Sequence, residues 1–252
     1  MSKSCYPDFV AGRGAPANST PTRFNLKSRE ADGDWLDERE VLDGALAPIR
    51  THVTTERPKT ILARNTSPDI PFDKSVNPYR GCEHGCIYCY ARPTHAYHDL
   101  SPGLDFESRL FAKPDAAKLL RAEIAKKGHV PTPIAFGTNT DAYQPIERDW
   151  QIMRQCIEVL AEANHPMTIT TKSDRVLRDL DLLAPMAAKG LVAVAVSVTM
   201  LDPALHRILE PRAPHPRKRL AALKGLADAG IPAHVNVAPI IPAINDGEIE
   251  AI

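Results

Sequence analysis

The pattern of hydrophobic and polar positions divides the chain into unequal parts. Up to residue 50, Pro, Gly, Ser, Asn and acidic residues dominate, and the scattered Phe24, Trp35 and Leu36 follow no sustained period, which predicts a mostly disordered tail. Residues 51–75 read as an extension, with KTILARN at 59–65 a short strand leading into a cysteine-bearing segment. From residue 114 the pattern becomes regular. Pro114 and Asp115 open a helix with an apolar stripe of Ala117, Leu119, Leu120, Ile124 and Ala125, and Gly128 closes it. PIAFGT at 133–138 is a short apolar run ending in turn residues, hence a buried strand. A helix over 148–164 gathers Met153, Cys156, Ile157 and Leu160 on one face. A strand at 167–172 comes next, and then a helix capped by Ser173 or Asp174 and running to about Lys189. LVAVAVSVT at 191–199 gives the clearest buried strand. Helices near 203–209 and over 216–230, then a strand over 233–241, complete the series.

Strand and helix thus alternate at least four times, the signature of βαβ units on a parallel sheet. Near-continuous Val, Ile and Ala strands imply that both sheet faces are covered, as in a barrel or part of one. No G-x-G-x-x-G opens a helix and no Walker A sequence occurs, so neither phosphate-loop reading is supported. Asn245 and Glu248 have the spacing of a capping box, yet the sequence stops at Ile252, which reads as a barrel truncated at its C-terminus. Between the extension and the regular part, residues 93–113 read as a long loop containing Tyr97 and Phe106, a candidate lid.

Composition changes this picture little. Lys plus Arg equals Asp plus Glu, at 31 each, which argues against a non-specific coat for nucleic acid or anionic membrane and moves partner choice to a site. The first residues lack the apolar core of a secretory signal and no apolar run reaches a membrane-spanning length, so a cytoplasmic protein without a membrane partner is expected. Five cysteines, an odd number with three clustered, then indicate metal or redox chemistry rather than a disulfide framework.

Those three lie in NPYRGCEHGCIYCYARP at 77–93: Cys82, Cys86 and Cys89. Thiolates bind soft or borderline metals, and two readings compete. A structural zinc would need a fourth ligand from His84, His95 or His98, giving a zinc-stabilised binding module. A four-iron cluster on three cysteines would leave one iron open to a small molecule. Gly81 and Gly85 flank the cysteines, where glycine permits positive φ. Cys156, on an apolar helix face, reads as an inert core thiol, and Cys5 as a free thiol in the tail.

The CxxxCxxC spacing with Tyr88 before the last cysteine resembles the radical S-adenosylmethionine (SAM) superfamily. The segments GTNTDAYQPIERD, TITTKSD, SVTMLD, LEPRAPHPRKRL and NVAPIIPAIND are similar to a bacterial group labelled DNA repair photolyases, related to spore photoproduct lyase. The resemblance runs from about residue 67 to the end. It implies a partial (βα)6-type barrel over 76–252, in which Cys82, Cys86 and Cys89 hold a [4Fe–4S] cluster whose open iron chelates SAM. It also implies an electron donor, whether a reductase, flavodoxin or ferredoxin, and a nucleic-acid substrate, with a peptide or small metabolite as the alternative. Barrel chemistry lies at the C-terminal strand ends. These nominate Thr138, Asn139, Thr140, Asp141, Lys172, Ser197, Thr199 and Asn236. From the strand ends and the cysteine segment, Tyr88, Thr138, Asn139, Lys172, Ser197 and Asn236 are taken as the SAM-contacting set; no catalytic residue is assigned. Tyr90 reads as a packed wall residue. Spore lyases carry a hydrogen-donating cysteine where this chain has Thr138 and Asn139, and a second tyrosine where it has Ala91. Arg207, Arg212, Arg217, Lys218 and Arg219 form a basic cluster suited to a phosphate backbone or to solvent.

Overall fold

The computed structural model describes residues 14–15 and 49–252; the expected tail, with Cys5, lies otherwise outside the described residues. Nine strands form two sheets among the described residues. Five of them, β3 (Lys74–Val76), β6 (Ile134–Phe136), β7 (Met167–Thr171), β8 (Val192–Ser197) and β9 (Ala233–Asn236), run parallel in that order, and β2 (Ala63–Arg64) adds antiparallel to β3. Register aligns Val76, Phe136, Ile169, Val194 and Ala233 in one row across the sheet. The first four are fully or almost fully buried. The β-branched and aromatic residues that suit a pleated surface are thus the ones that build its core.

Helices Ala116–Ile124, Ile152–Glu162, Leu180–Ala187 and Pro216–Asp228 cover the sheet. They contribute Leu120, Ile157, Leu160, Leu183 and Leu226 to one continuous core. Full burial of each such side chain contributes about 1.5–3 kcal/mol before chain entropy is counted. Cys156 sits in this core with no exposed surface, and burial pushes its thiol up, as expected of an inert packing residue.

Four sequence expectations change. The helix over 148–164 is two helices, Glu147–Trp150 and Ile152–Glu162, broken at Gln151, whose φ of 50° is left-handed. The buried Glu147 carboxylate explains the break, because it folds back to accept from Met153 N (3.0 Å) and Arg154 N (3.3 Å), the free amides of the second helix. Residues 93–113 are not a long loop. They form a 3₁₀ turn (Arg92–His98), a helix (Leu104–Ser108) and β5 (Arg109–Ala112), which inserts between β1 (His52–Thr55) and β4 (Tyr79–Arg80) in a second, three-stranded sheet. Buried Phe106 and Leu110 anchor the segment. The strand predicted over 233–241 stops at Asn236. Asn245 and Glu248 form no capping box. Asn245 Nδ2 donates to Thr199 O (2.8 Å) and Pro239 O (2.9 Å), while the Glu248 carboxylate accepts from Leu201 N (2.8 Å) and Asp202 N (3.0 Å), so tertiary bonds take the side chains that a helix start would use.

One position on the sheet tolerates nothing larger than glycine. Gly137, just past β6, has φ +80°, and a Cβ there would lie 1.9 Å from the Thr170 carbonyl oxygen. Gly137→Ala is expected to separate the β6 and β7 ends and lower the melting temperature by at least several degrees, with reduced soluble yield. An unchanged melting curve would contradict this account.

Candidate metal and cofactor site

The cysteine segment leaves β4 and is fastened on every side. Gly81 and Gly85 have φ of 71° and 68°, and a Cβ on Gly81 would lie 2.7 Å from the Phe106 carbonyl oxygen, so this turn requires glycine. Cys82 N donates to that same carbonyl (2.9 Å). Gln144 holds the loop twice, accepting from Glu83 N (3.0 Å) and donating to Gly81 O (3.0 Å). Ile87 N donates to Leu209 O (3.0 Å). Arg92 donates to the Cys86 carbonyl through Nε (3.0 Å) and Nη2 (2.8 Å) and pairs with buried Glu107 (2.6 Å). Glu107 also accepts from Gly14 N (3.0 Å) and Ala15 N (2.8 Å), so a short stretch from far upstream docks beside the loop. A Cβ on Gly14 would lie 1.6 Å from Gly85 O.

Cys82, Cys86 and Cys89 line one pocket at the C-terminal ends of β6, β7 and β8, together with His84, Tyr90, Asn139, Asp141, Lys172 and Ser197. None of the three cysteines is in a disulfide. Burial pushes the Cys82 thiol well up, and Cys86 up to about 12. Lys172 directly succeeds β7. Burial disfavours its ammonium, but the Cys86 and Glu210 charges hold it above the ordinary lysine range. Asp141 fixes its backbone, accepting from Lys172 N (2.7 Å) and from Thr171 Oγ1 (2.7 Å).

Behind this wall lies a carboxylate that strand-end reasoning missed. Glu210 has no exposed surface, and its side chain accepts from Arg219, itself fully buried, from Tyr88 Oη and from Thr199 Oγ1 (3.0 Å). Lys172 Nζ stands 4.0 Å from it and 5.7 Å from the centre of the Tyr88 ring. Burial would raise the Glu210 carboxyl, but the Arg219 and Lys172 charges, with hydrogen bonds from Arg219 and Tyr88, hold it down to about 2. The signal in the sequence was one acidic residue beside a cluster of cations; nothing there marked it as buried.

Of the expected SAM-contacting set, Asn139, Lys172 and Ser197 share the pocket wall with the cysteines. Tyr88 lies behind it in the Glu210 network. Thr138 hydrogen-bonds Asn77 (3.3 Å) instead, and Asn236 stands exposed at the end of β9. Tyr90 is not a packed wall residue: it is 77% exposed, lines the pocket and donates to Thr138 O. Arg219 does not belong with the surface cations, since it is the buried partner of Glu210.

The histidines proposed for zinc have other engagements. His95 Nε2 meets Arg109 O (2.9 Å) and its ring packs edge-on to Phe106, while His98 stacks on Phe111 with centroids 4.5 Å apart. His84 Nδ1 is 3.5 Å from Asp141 Oδ2. A single zinc draws thiolates to about 2.3 Å from one point. Among the described residues no three His, Cys, Asp or Glu side chains converge in that way. The thiol and imidazole donors on the pocket wall are those of the three cysteines and His84, with His95 and His98 engaged elsewhere.

Fold and site together define an α/β protein of the open-barrel class, with three thiols and one ammonium on a single pocket wall at its strand ends. The family model of the radical SAM superfamily matches residues 76–252, and the chain belongs to that superfamily. Membership implies an iron–sulfur cluster and SAM. An uncharacterized protein of Mycobacterium tuberculosis (strain H37Rv) is 43% identical over 177 residues, covering 70% of this chain and 52% of that protein. One of Methanocaldococcus jannaschii is 31% identical over 173 residues, covering 69% and 62%. This chain thus spans between about half and three fifths of these relatives' length. Among solved structures, spore photoproduct lyase complexed with dinucleoside spore photoproduct matches with a TM-score of 0.58 at 19% identity, covering 77% of this chain and 53% of that one. A mutant of that lyase with bound AdoMet and dinucleoside spore photoproduct matches at 0.56 and 18%, covering 82% and 64%. At such identity the likeness is one of fold. No helix among the described residues is long and apolar enough to cross a membrane.

Proposed function

We propose that this chain is a radical SAM enzyme that cleaves SAM reductively and abstracts hydrogen from a nucleic-acid substrate in repair or modification. The observation that carries the chemistry is the single pocket wall on which Cys82, Cys86 and Cys89 meet Asn139, Lys172 and Ser197. Those three cysteines would hold a [4Fe–4S] cluster. When bound, it supplies the electron that splits SAM into methionine and a 5′-deoxyadenosyl radical.

The chain's own residues do the positioning. Lys172 offers a fixed positive charge to the SAM carboxylate, with its position set by Asp141 from the backbone side and by Glu210 from behind. Asn139 and Ser197 supply amide and hydroxyl groups for the remaining polar atoms of SAM. The pocket is walled by buried Thr140 and Thr171 and lined at its exposed side by Tyr90. The nucleic-acid assignment rests on the fold shared with a lyase whose bound ligand is a dinucleoside photoproduct. Where spore lyases carry a hydrogen-donating cysteine this chain has Thr138 and Asn139, so the proposal does not extend to the spore-lesion reaction itself.

The test is anaerobic reconstitution, dithionite reduction with SAM, and measurement of 5′-deoxyadenosine. A colourless zinc protein that forms no nucleoside would overturn the proposal. Lys172→Met is expected to weaken SAM binding roughly 10–100-fold, the loss of one charge-assisted contact, while leaving iron content unchanged. Equal loss of iron and SAM would instead make Lys172 part of the cluster's support.

A further inference from the structure

A second cavity lies directly against the cysteine pocket, and nothing in the proposed SAM chemistry uses it. Its volume is about 280 Å³, close to the lower bound of about 300 Å³ for drug-sized ligand sites. Four chain segments meet there, His84 coming from the cysteine loop and Pro145 from the stretch after β6. Arg175 comes from the turn after β7, and Arg212, His215 and Lys218 from the loop and first turn of the helix Pro216–Asp228; Asp174 is the one acidic residue on the wall. Among the described residues Arg175 and Lys218 form no salt bridge, although the Asp149 charge reaches Arg175 at longer range, whereas Arg154, Arg178 and Lys224 elsewhere are paired to carboxylates. Arg212 is held from one side by Glu83 (3.2 Å). His215 Nδ1 accepts from Arg217 N (3.2 Å), which leaves Nε2 to carry the proton of the neutral ring and makes His215 a donor.

Three cations and a ring donor around one small polar cavity match the oxygens of a phosphate, which arginine engages bidentately. Arg212 and Lys218 are exposed, as are Arg207 and Arg217, but they line the concave surface while Arg207 and Arg217 lie outside it, and Arg219 is buried against Glu210. His84, 2% exposed, lines both this cavity and the cysteine pocket, so a group held here sits one imidazole away from the thiols.

We infer that Arg175, Arg212, His215 and Lys218 form a phosphate-binding pocket that anchors the substrate beside the cluster. This inference rests on the proposed function for its source of phosphate: a nucleic-acid backbone, with a small phosphoester bearing the same chemistry as the other source.

The full, reconstituted chain would be titrated anaerobically against a fluorescent single-stranded oligothymidylate of about ten nucleotides, its methylphosphonate analogue lacking backbone charge, and inorganic phosphate as competitor. The double variant Arg175→Ala/Lys218→Ala is compared with Arg207→Ala/Arg217→Ala, which removes the same charge outside the cavity. Expected are oligonucleotide binding that weakens at least about tenfold in the first variant only, a smaller salt slope by about 0.7 per lost phosphate contact, and unchanged cleavage of SAM without substrate. If the oligonucleotide fails to bind while inorganic phosphate binds the parent protein and not the cavity variant, the cavity stands and the nucleic-acid reading falls. Equal weakening in both variants, or no binding of either probe, would overturn the cavity assignment. Oligonucleotide binding unaffected by the cavity variant would do so while leaving the nucleic-acid reading intact.

Discussion

Cys86→Ala, purified and reconstituted anaerobically, is expected to carry only a trace of iron and to form no 5′-deoxyadenosine above background. Under the proposed function the lost sulfur is one of three protein ligands, so the drop exceeds the 10–100-fold that removal of a mere outer-shell partner costs a metal site. The loop itself survives, because Arg92 and Ile87 hold it through backbone carbonyls and amides rather than through the thiol. Apo Cys86→Ala should therefore melt within a few degrees of the apo parent, which separates ligand loss from misfolding. Two further variants sharpen the result. Cys156→Ala keeps its iron while losing stability, since that thiol is in the core. His98→Ala also keeps its iron, since that ring is engaged in stacking on Phe111. Retention of full iron by Cys86→Ala, or metal loss from the histidine variant, would contradict the three-thiolate assignment.

Glu210→Ala should be the most destabilising single change in and behind the pocket wall. It leaves Arg219 charged, fully buried and without its carboxylate, and one-sided removal of a buried pair costs about 3–5 kcal/mol. Tyr88 and Thr199 lose a shared acceptor at the same time. The double variant Glu210→Leu/Arg219→Leu should recover much of the loss, because replacing both charges removes the uncompensated one. The same carboxylate predicts acid sensitivity. Its folded pKa, about 2, lies below the ordinary carboxylate range, so its contribution is fully present above about 4.5 and disappears as pH falls from there through about 2. That contribution is on the order of 3 kcal/mol, and denaturant melts of Glu210→Gln against the parent at pH 6 and pH 3 would show it as a gap that narrows in acid. A gap constant between those pH values would remove Glu210 from the account of acid stability.

The parallel sheet was legible because its strands bury both faces and their sequences say so: residues 191–199 contain almost nothing polar until Ser197. Lys172 was legible for a different reason, as a lone cation where a buried strand ends. Residues 93–113 resisted, since β5 is four residues long and owes its existence to pairing with β1, more than fifty positions earlier, which no local period encodes. Asn245 and Glu248 misled because a capping box and a pair of tertiary hydrogen-bonding side chains share the same spacing. Glu210 was hidden by charge itself: composition predicts an exposed glutamate, and only the arrival of Arg219 and Lys172 makes its burial tolerable.

The tie between Gly14, Ala15 and Glu107 has a kinetic side. These bonds join positions 93 and 92 residues apart, and the entropy of closing so long a span delays them relative to the local turns of the cysteine loop. Until they close, Glu107 has Arg92 but lacks two backbone donors, and the Gly85 carbonyl is uncovered. The loop therefore acquires its final rigidity late, when a stretch synthesised well before it returns to seal its outer side.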